Sequence, residues 1–446
     1  MRKSRHHIIQ FGCILAVLTA IMLQGFTKVV KLKPLSGFEK EERPPVALKF
    51  KTYYDGSYQN YMTEHAKRNT GFREFFIRNY NQVCYTCFDK ITNNRVFKGY
   101  DNELFLDMYL NEVTGKQLRQ EYGSVEEAQR DARKNVEATL ALIDTLRQHG
   151  TEFLFVFAPS KTAVYPEKMP QSYQDRLLDF SLEEYYIELF KENGIPHIDF
   201  YHYFQSLKDT ATYPLYTRTG THWAESTIPF VSDSIFRKLE ALTGFRLPSV
   251  AIVNDNVSTE YSTIDSELEA NLNLLFPLPK PALPNPEFTL EDTIGKDRPN
   301  LLVIADSYFN QLRRSCFVDA FNQWDYWVYN REVQSSREIY NWKQLDMILD
   351  ADQVLEEADI VMAVFTAPMF YNYMFGFTHT ALELLHHGTM SDEEALQTII
   401  KKIMNDPAWM KAIEEQAERL GISVEENIRS NADYTLRSLK QTNAQP

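Results

Sequence analysis

Three short runs of the 446-residue chain carry no polar residue in alternation: FLFVFA (Phe153 to Ala158), LLVIA (Leu301 to Ala305) and IVMAVF (Ile360 to Phe365). A strand with one wet face alternates apolar and polar residues, so strands apolar throughout must be covered on both faces. Before the first run and between the first two lie amphipathic stretches. Ser124 and Glu127 form a capping box ahead of a long helix with Val136, Leu140 and Ile143 on one face, closed by Gly150. A second helix, over about 173–193, ends at Gly194 and leads into IPHID; YWVY (Tyr326 to Tyr329) is a weaker strand. Strands alternating with helices specify an α/β domain with a mostly parallel sheet. In such a sheet, ligands bind beyond the carboxyl ends of the strands.

The N-terminus addresses the compartment. Arg2, Lys3 and Arg5 precede an uncharged run, Ile8 to Phe26, of about 19 residues, long enough to cross a bilayer as one helix. The basic residues stay cytoplasmic and the rest lies outside. No small-x-small cleavage site precedes Lys28, so we expect an uncleaved single-pass anchor in the cytoplasmic membrane with a periplasmic main domain. The formal charge of -14 argues against a nucleic-acid partner, which calls for a basic face.

The expected divisions are a cytoplasmic tip and anchor over 1–30, a tether and helical region over 31–99, an α/β domain over 100–380, and a C-terminal helical extension over 381–446. Within the α/β domain, about 246–299 breaks the rhythm. It contains FPLPKPALPNPEF, too proline-dense for a helix or a central strand, and reads as a surface insertion. Cys84 and Cys87 form a C-x-x-C inside a helical pattern. Zinc would need a second ligand pair and redox chemistry a strand-to-helix junction, so these cysteines read as structural and buried, or as a local disulfide. His, Asp and Glu nowhere cluster at ligand spacing, and no glycine-rich phosphate loop appears; neither metal nor cofactor is expected.

Two blocks could carry chemistry. In VIADSYFN a strand ends at Ala305, and Ser307 follows at a turn into a probable helix, where backbone N–H groups could hold an oxyanion. The plainer alternative is that Asp306 or Ser307 caps that helix. In YTRTGTHWAEST, His222 precedes another helix. A serine nucleophile needs a base, and histidine titrates in the right range; a lone histidine is more often structural.

Together these blocks resemble the SGNH-hydrolase-like alginate O-acetylation proteins (the AlgJ/AlgX-like group), which place a D-x-H-W block ahead of the serine block. GTHW supplies His222 and Trp223, and IADSY supplies Ser307. APSKTAVYPEKMP, with Lys161 and Tyr165, looks like the family's first-strand block, and YYDGSYQNYMTEHAKRNTGFRE and KGYDNELFL resemble its N-terminal region. The resemblance spans about residues 50–380. It implies an SGNH-like sheet flanked by helices and O-acetyl transfer to a polysaccharide, with acetyl supplied by a multipass membrane acyltransferase. It makes Ser307 and His222 the catalytic pair, and Trp223, Lys161 and Tyr308 candidates for substrate contact.

One departure matters. The family's aspartate two residues before the histidine is Gly220 here, and in a triad that carboxylate orients the imidazole and stabilises its charge. Three readings stay open. Asp199, at the end of IPHID, could substitute from the same rim of the sheet; a backbone carbonyl could orient the ring in a slower dyad; or the protein binds glycan without catalysis. Asp306 is a poorer substitute because it adjoins the nucleophile. The function classes are accordingly an O-acetyltransferase, a polysaccharide acetylesterase using the same site, or a non-catalytic scaffold.

Overall fold

The computed structural model describes residues 2–37, 45–212, 214–337, 343–345, 351–387 and 392–443; residues 38–44 of the proposed tether lie outside them. Eleven strands are described. β1 (Val96–Lys98) and β2 (Leu104–Leu106) form a small hairpin. β3 (Glu152–Phe157) and β4 (His197–Asp199) precede β5 (Ser249–Ser258) and β6 (Leu283–Glu291). β7 (Leu301–Ala305), β8 (Trp324–Val328), β9 (Glu332–Ser335), β10 (Lys343–Gln344) and β11 (Ile360–Phe365) follow. The central sheet runs β10-β9-β8-β7-β11-β3-β4. From β8 to β4 every pairing is parallel, and β9 and β10 close one edge antiparallel.

The apolar runs are β3, β7 and β11, the strands at the middle of this order. Their side chains alternate between two cores. Phe153, Phe155, Phe157, Ile304, Ala363 and Phe365 face one side, where the helices Val125–Gln148, Leu182–Glu192 and Phe377–His387 cover them. Leu154, Val156, Val303, Ala305, Met362 and Val364 face the other, under the helices Ile228–Thr243 and Phe309–Arg314. The long helix begins as its sequence specifies: the Ser124 hydroxyl accepts from the Glu127 N–H at 3.2 Å, and Gly150 takes φ +82° just past its end.

The 246–299 segment stays out of the sheet. β5 and β6 pair with each other only, as an antiparallel ribbon. Pro284 and Pro286, two residues apart, remove N–H groups from the same edge of β6, which a ribbon paired on one edge tolerates. Between its strands lies the helix Glu267–Leu272, which the sequence reading did not anticipate. Cys84 is buried and Cys87 exposed on the helix Arg73–Phe88, and both are free thiols.

At the N-terminus the helix Arg2–Thr27 contains a 22-residue stretch, His6–Thr27, long and apolar enough to cross a membrane. Its far end is fastened to the folded part. A Cβ at Gly71 would come within 2.0 Å of the Ile21 carbonyl oxygen, so the chain can approach the helix only through glycine there. Gln24 then clamps Val30 through both its N–H (3.0 Å) and C=O (2.7 Å). At the other terminus the helices Asp392–Asn405, Pro407–Leu420 and Val424–Asn443 pack on one another around Ile399, Ile403, Ile413 and Ala432, a core separate from those of the sheet.

Candidate active site

Ser307 lies two residues past β7, before the helix Phe309–Arg314. Asp306 fixes this turn. One of its carboxylate oxygens accepts from the Tyr308 N–H at 2.9 Å, and the other accepts from the Thr366 N–H (2.9 Å) and hydroxyl (2.8 Å) just past β11. Asp306 thus staples two adjacent strand ends and has no oxygen to spare for His222.

His222 reaches Ser307 from a loop. Its Nε2 is 2.8 Å from the Ser307 hydroxyl, and its Nδ1 is 2.7 Å from Glu267 Oε1. The same Glu267 oxygen accepts from the backbone N–H groups of Thr221 (3.0 Å) and His222 (3.3 Å). With the carboxylate fixed on Nδ1, the ring keeps Nε2 free to accept a proton from Ser307. Burial pushes the Glu267 carboxyl up, but the His222 ring and these N–H donors outweigh it and hold the group below the usual carboxylate range. Serine, histidine and glutamate form one continuous hydrogen-bonded line.

Glu267 takes the place left by Gly220. The segment bearing it is clamped to the histidine loop: the Thr217 and Thr219 hydroxyls both donate to the Asp265 carbonyl, and the Leu268 N–H donates to the Thr219 carbonyl at 2.9 Å. A Cβ at Gly220 would lie 2.8 Å from Thr217 Oγ1, 3.0 Å from the Ile264 carbonyl oxygen and 3.2 Å from that of Asp265. A side chain at 220 would therefore crowd the segment that delivers the acid, displacing the Thr217 hydroxyl and pressing on two of the segment's carbonyls.

The other residues singled out from sequence fall elsewhere. Asp199 ends β4, and the order β7-β11-β3-β4 puts it three strands from Ser307, about 14 Å at ordinary strand spacing. It caps the following helix at the His202 N–H (3.0 Å) and binds Lys191 Nζ (2.8 Å) and the His202 ring (2.8 Å). Trp223 is fully buried against Phe200, Phe204 and Tyr308, so its face is closed to a sugar. Tyr308 is buried too; its hydroxyl donates to the Thr221 carbonyl at 2.8 Å, and its ring lies 4.7 Å from that of His222. It supports the histidine from behind. Lys161 is 1% exposed, paired with Glu103 at 2.8 Å and aimed at the carbonyls of Leu104, Thr217, Arg218 and Gly220. It ties the histidine loop to the β1–β2 hairpin.

Tyr329, which the sequence reading placed only in a strand, lines the same cavity as Ser307. It turns from β8 into β9 with φ +50°, followed by Asn330 at +51°. Left-handed conformations in two consecutive non-glycine residues cost of order 1 kcal/mol or more each and cluster at functional sites. Asn330 holds the turn by donating to the Phe375 carbonyl at 3.1 Å. Burial, and then the Asp306 charge, raise the Tyr329 phenol above its ordinary value, so it stays a neutral O–H donor. Ser307, His222, Glu267 and Tyr329 line a cavity of about 140 Å³ with Leu106 and Asn271. Among the described residues, no three of His, Cys, Asp and Glu come together as metal ligands.

Residues 118–260 match the family model for the SGNH hydrolase-like domain of the acetyltransferase AlgX. That span holds His222 and ends before Glu267 and Ser307. No curated protein matches the chain. Among solved structures, the chain is similar to the O-acetyltransferase domain of Pseudomonas putida AlgJ, at 15% identity over 64% of this chain and 99% of that one (TM-score 0.39). Pseudomonas aeruginosa AlgX is similar at 16% identity over 64% and 67% (TM-score 0.40). Bacillus cereus PatB1 is similar at 11% over 55% and 92% (TM-score 0.35).

Glu267→Gln should lower kcat/KM for acyl transfer about 10³-fold or more, as loss of the orienting carboxylate does in triads, with folding retained. Glu267→Gln/Gly220→Asp should stay inactive, because the new side chain is crowded; recovered turnover would show that the two positions are interchangeable. Since the Glu267 carboxyl is held low, its contribution is complete above the unfolded-state value. It is lost only as pH falls through the lower folded value, so the variant should lose the acid limb of stability that wild type shows in a pH series of thermal melts. Separately, Lys161→Met should destabilise the fold by about 1–3 kcal/mol in denaturant titration, since Glu103 keeps Lys168 at 3.2 Å but the buried carbonyls that Lys161 serves lose their donor. A loss confined to substrate KM would instead return Lys161 to substrate contact.

Proposed function

We propose that this protein is an O-acetyltransferase that modifies an extracytoplasmic polysaccharide through an acetyl-serine intermediate. The observation that carries this reading is the His222 imidazole held between the Ser307 hydroxyl and the Glu267 carboxylate. The match of residues 118–260 to an acetyltransferase domain supports the group transferred. His222 Nε2 takes the Ser307 proton as Oγ attacks the acetyl carbonyl of the donor. The tetrahedral oxyanion forms beside the Tyr329 phenol, an O–H donor already in place. Collapse breaks the bond to the leaving group, which departs with the proton from His222. A sugar hydroxyl then enters, His222 removes its proton, and collapse of the second tetrahedral species yields the O-acetyl sugar and free Ser307. Glu267 stabilises the imidazolium in both halves.

The N-terminal helix, with its basic residues on the short side, supports a single-pass anchor that holds the domain outside the cytoplasmic membrane. There it would receive acetyl from a multipass membrane acyltransferase. The division at about residue 380 is supported by the separate core of the C-terminal helices. A binding-only scaffold rested on the missing aspartate, and Glu267 removes that ground. An acetylesterase shares the first half-reaction and differs only in water as acceptor.

Wild-type protein given an activated acetyl ester should label covalently at Ser307 and pass acetyl to added oligosaccharide, and Ser307→Ala should reduce transfer at least about 10³-fold. Hydrolysis indifferent to oligosaccharide would assign an esterase. A serine that ignores a fluorophosphonate in folded protein would reject the acyl-enzyme altogether.

A further inference from the structure

Beside the catalytic cavity runs a larger groove of about 600 Å³, and Leu106 and Asn271 line both. A volume of this size suits a ligand larger than an acetyl group. Chain segments far apart in sequence build the groove, among them Ser36 and Gly37 from the stretch after the N-terminal helix. The helix Arg73–Phe88 contributes Tyr80, the loop before β1 contributes Asn94 and Arg95, and the end of the helix Glu267–Leu272 contributes Asn271. On that short helix Asn271 lies one turn beyond Glu267, on the same face. One helix therefore supplies both the triad carboxylate and an amide at the junction of the two cavities.

The chemistry of the lining is specific. It contains no Asp or Glu, although the chain carries a formal charge of -14. Several of its amides are consumed in building the walls. Asn81 donates to the Leu272 carbonyl at 2.9 Å and accepts from the Thr92 hydroxyl at 2.8 Å; Asn273 exchanges hydrogen bonds with the Ser36 main chain. Asn94 and Asn271 are different: their side-chain amides make no hydrogen bond among the described residues. Tyr80 is 63% exposed, with its ring at the groove wall. Unspent neutral donors and acceptors beside an open aromatic face are what a sugar ring requires, because hydroxyls pair with amides while the apolar ring face lies on the tyrosine.

We infer that this groove is the acceptor subsite, binding the stretch of polysaccharide that adjoins the sugar presented to Ser307, with Tyr80 stacking on one ring and Asn94 and Asn271 holding hydroxyls. The inference rests on the acyl-transfer reading for its direction but not for its test. Arg95 at the rim, exposed and only loosely paired with Asp107 at 3.5 Å, admits uronate as well as neutral sugars. The assignment also accounts for the placement of the groove, since a chain lying in it runs past Asn271 directly into the catalytic cavity.

Full-length protein carrying Ser307→Ala, in detergent micelles, should be titrated calorimetrically with cellohexaose and with a mannuronate hexasaccharide, each against its disaccharide. At least one hexasaccharide should bind at least tenfold more tightly than its disaccharide, and Tyr80→Ala and Asn94→Ala should each weaken that binding fivefold or more. Both substituted side chains are exposed, so a folding defect is not expected, and circular dichroism checks it. Binding of neither hexasaccharide, or binding unmoved by both substitutions, overturns the groove assignment. Because Ser307→Ala removes chemistry from the measurement, glycan binding by a protein whose serine proves unreactive would reject acyl transfer and retain the groove. A reactive serine with no length-dependent binding would do the reverse.

Discussion

A single carboxylate oxygen, Glu267 Oε1, holds the active site together. It takes three donors at once: the His222 ring and the N–H groups of Thr221 and His222. A buried carboxylate without partners would be expelled or protonated; with three, it stays charged and dictates where the imidazole points. The consequence is a dependence across the chain. His222 is held in this orientation only once the 246–299 segment has folded onto the loop before it, so that segment belongs to the candidate site despite lying outside the sheet.

The sheet was legible in the sequence because its central strands are buried on both faces, and burial on both faces erases alternation. FLFVFA, LLVIA and IVMAVF became β3, β7 and β11, three consecutive interior strands of the sheet. The short peripheral strands β1, β2, β9 and β10 and the β5–β6 ribbon escaped notice, because two to four residues of mixed character are too few to show a period and the ribbon carries prolines. Ser307 and His222 were legible for a different reason. Each lies at a junction between regular elements, where a side chain can be presented rather than packed.

The remaining site residues depended on information that pattern alone lacks. Asp199 does end a parallel strand on the correct rim, but strand order is a property of pairing, and the order places two strands between β4 and β7. Trp223 and Tyr308 adjoin catalytic residues in sequence and so invited a role in substrate contact. On either side of a residue that faces the cavity, though, neighbours turn inward, and here they form the aromatic bed on which the imidazole rests. Lys161 illustrates the same trap for charge. A lone lysine near a site suggests an anion, yet its ammonium is satisfied by Glu103 and backbone carbonyls with almost no surface left.

Gly220 and Glu267 are best understood as one feature rather than a loss and an unrelated gain. In the resembling family an aspartate stands where Gly220 is, and its backbone would have to carry a side chain into the space that the Ile264 and Asp265 carbonyls occupy here. The two arrangements compete for space: a side chain at residue 220 would need the Thr217 hydroxyl to turn and the Ile264 and Asp265 carbonyls to give by a few tenths of an ångström, whereas a bare residue 220 lets the segment sit close and bring the acid with it. The second arrangement has a chemical consequence that the first lacks. Because Glu267 sits on a helix whose next turn presents Asn271 at the junction of the catalytic cavity and the groove, whatever displaces that helix disturbs the imidazole and the groove wall together. A carboxylate carried by residue 220 itself, on the histidine loop, would leave the two independent.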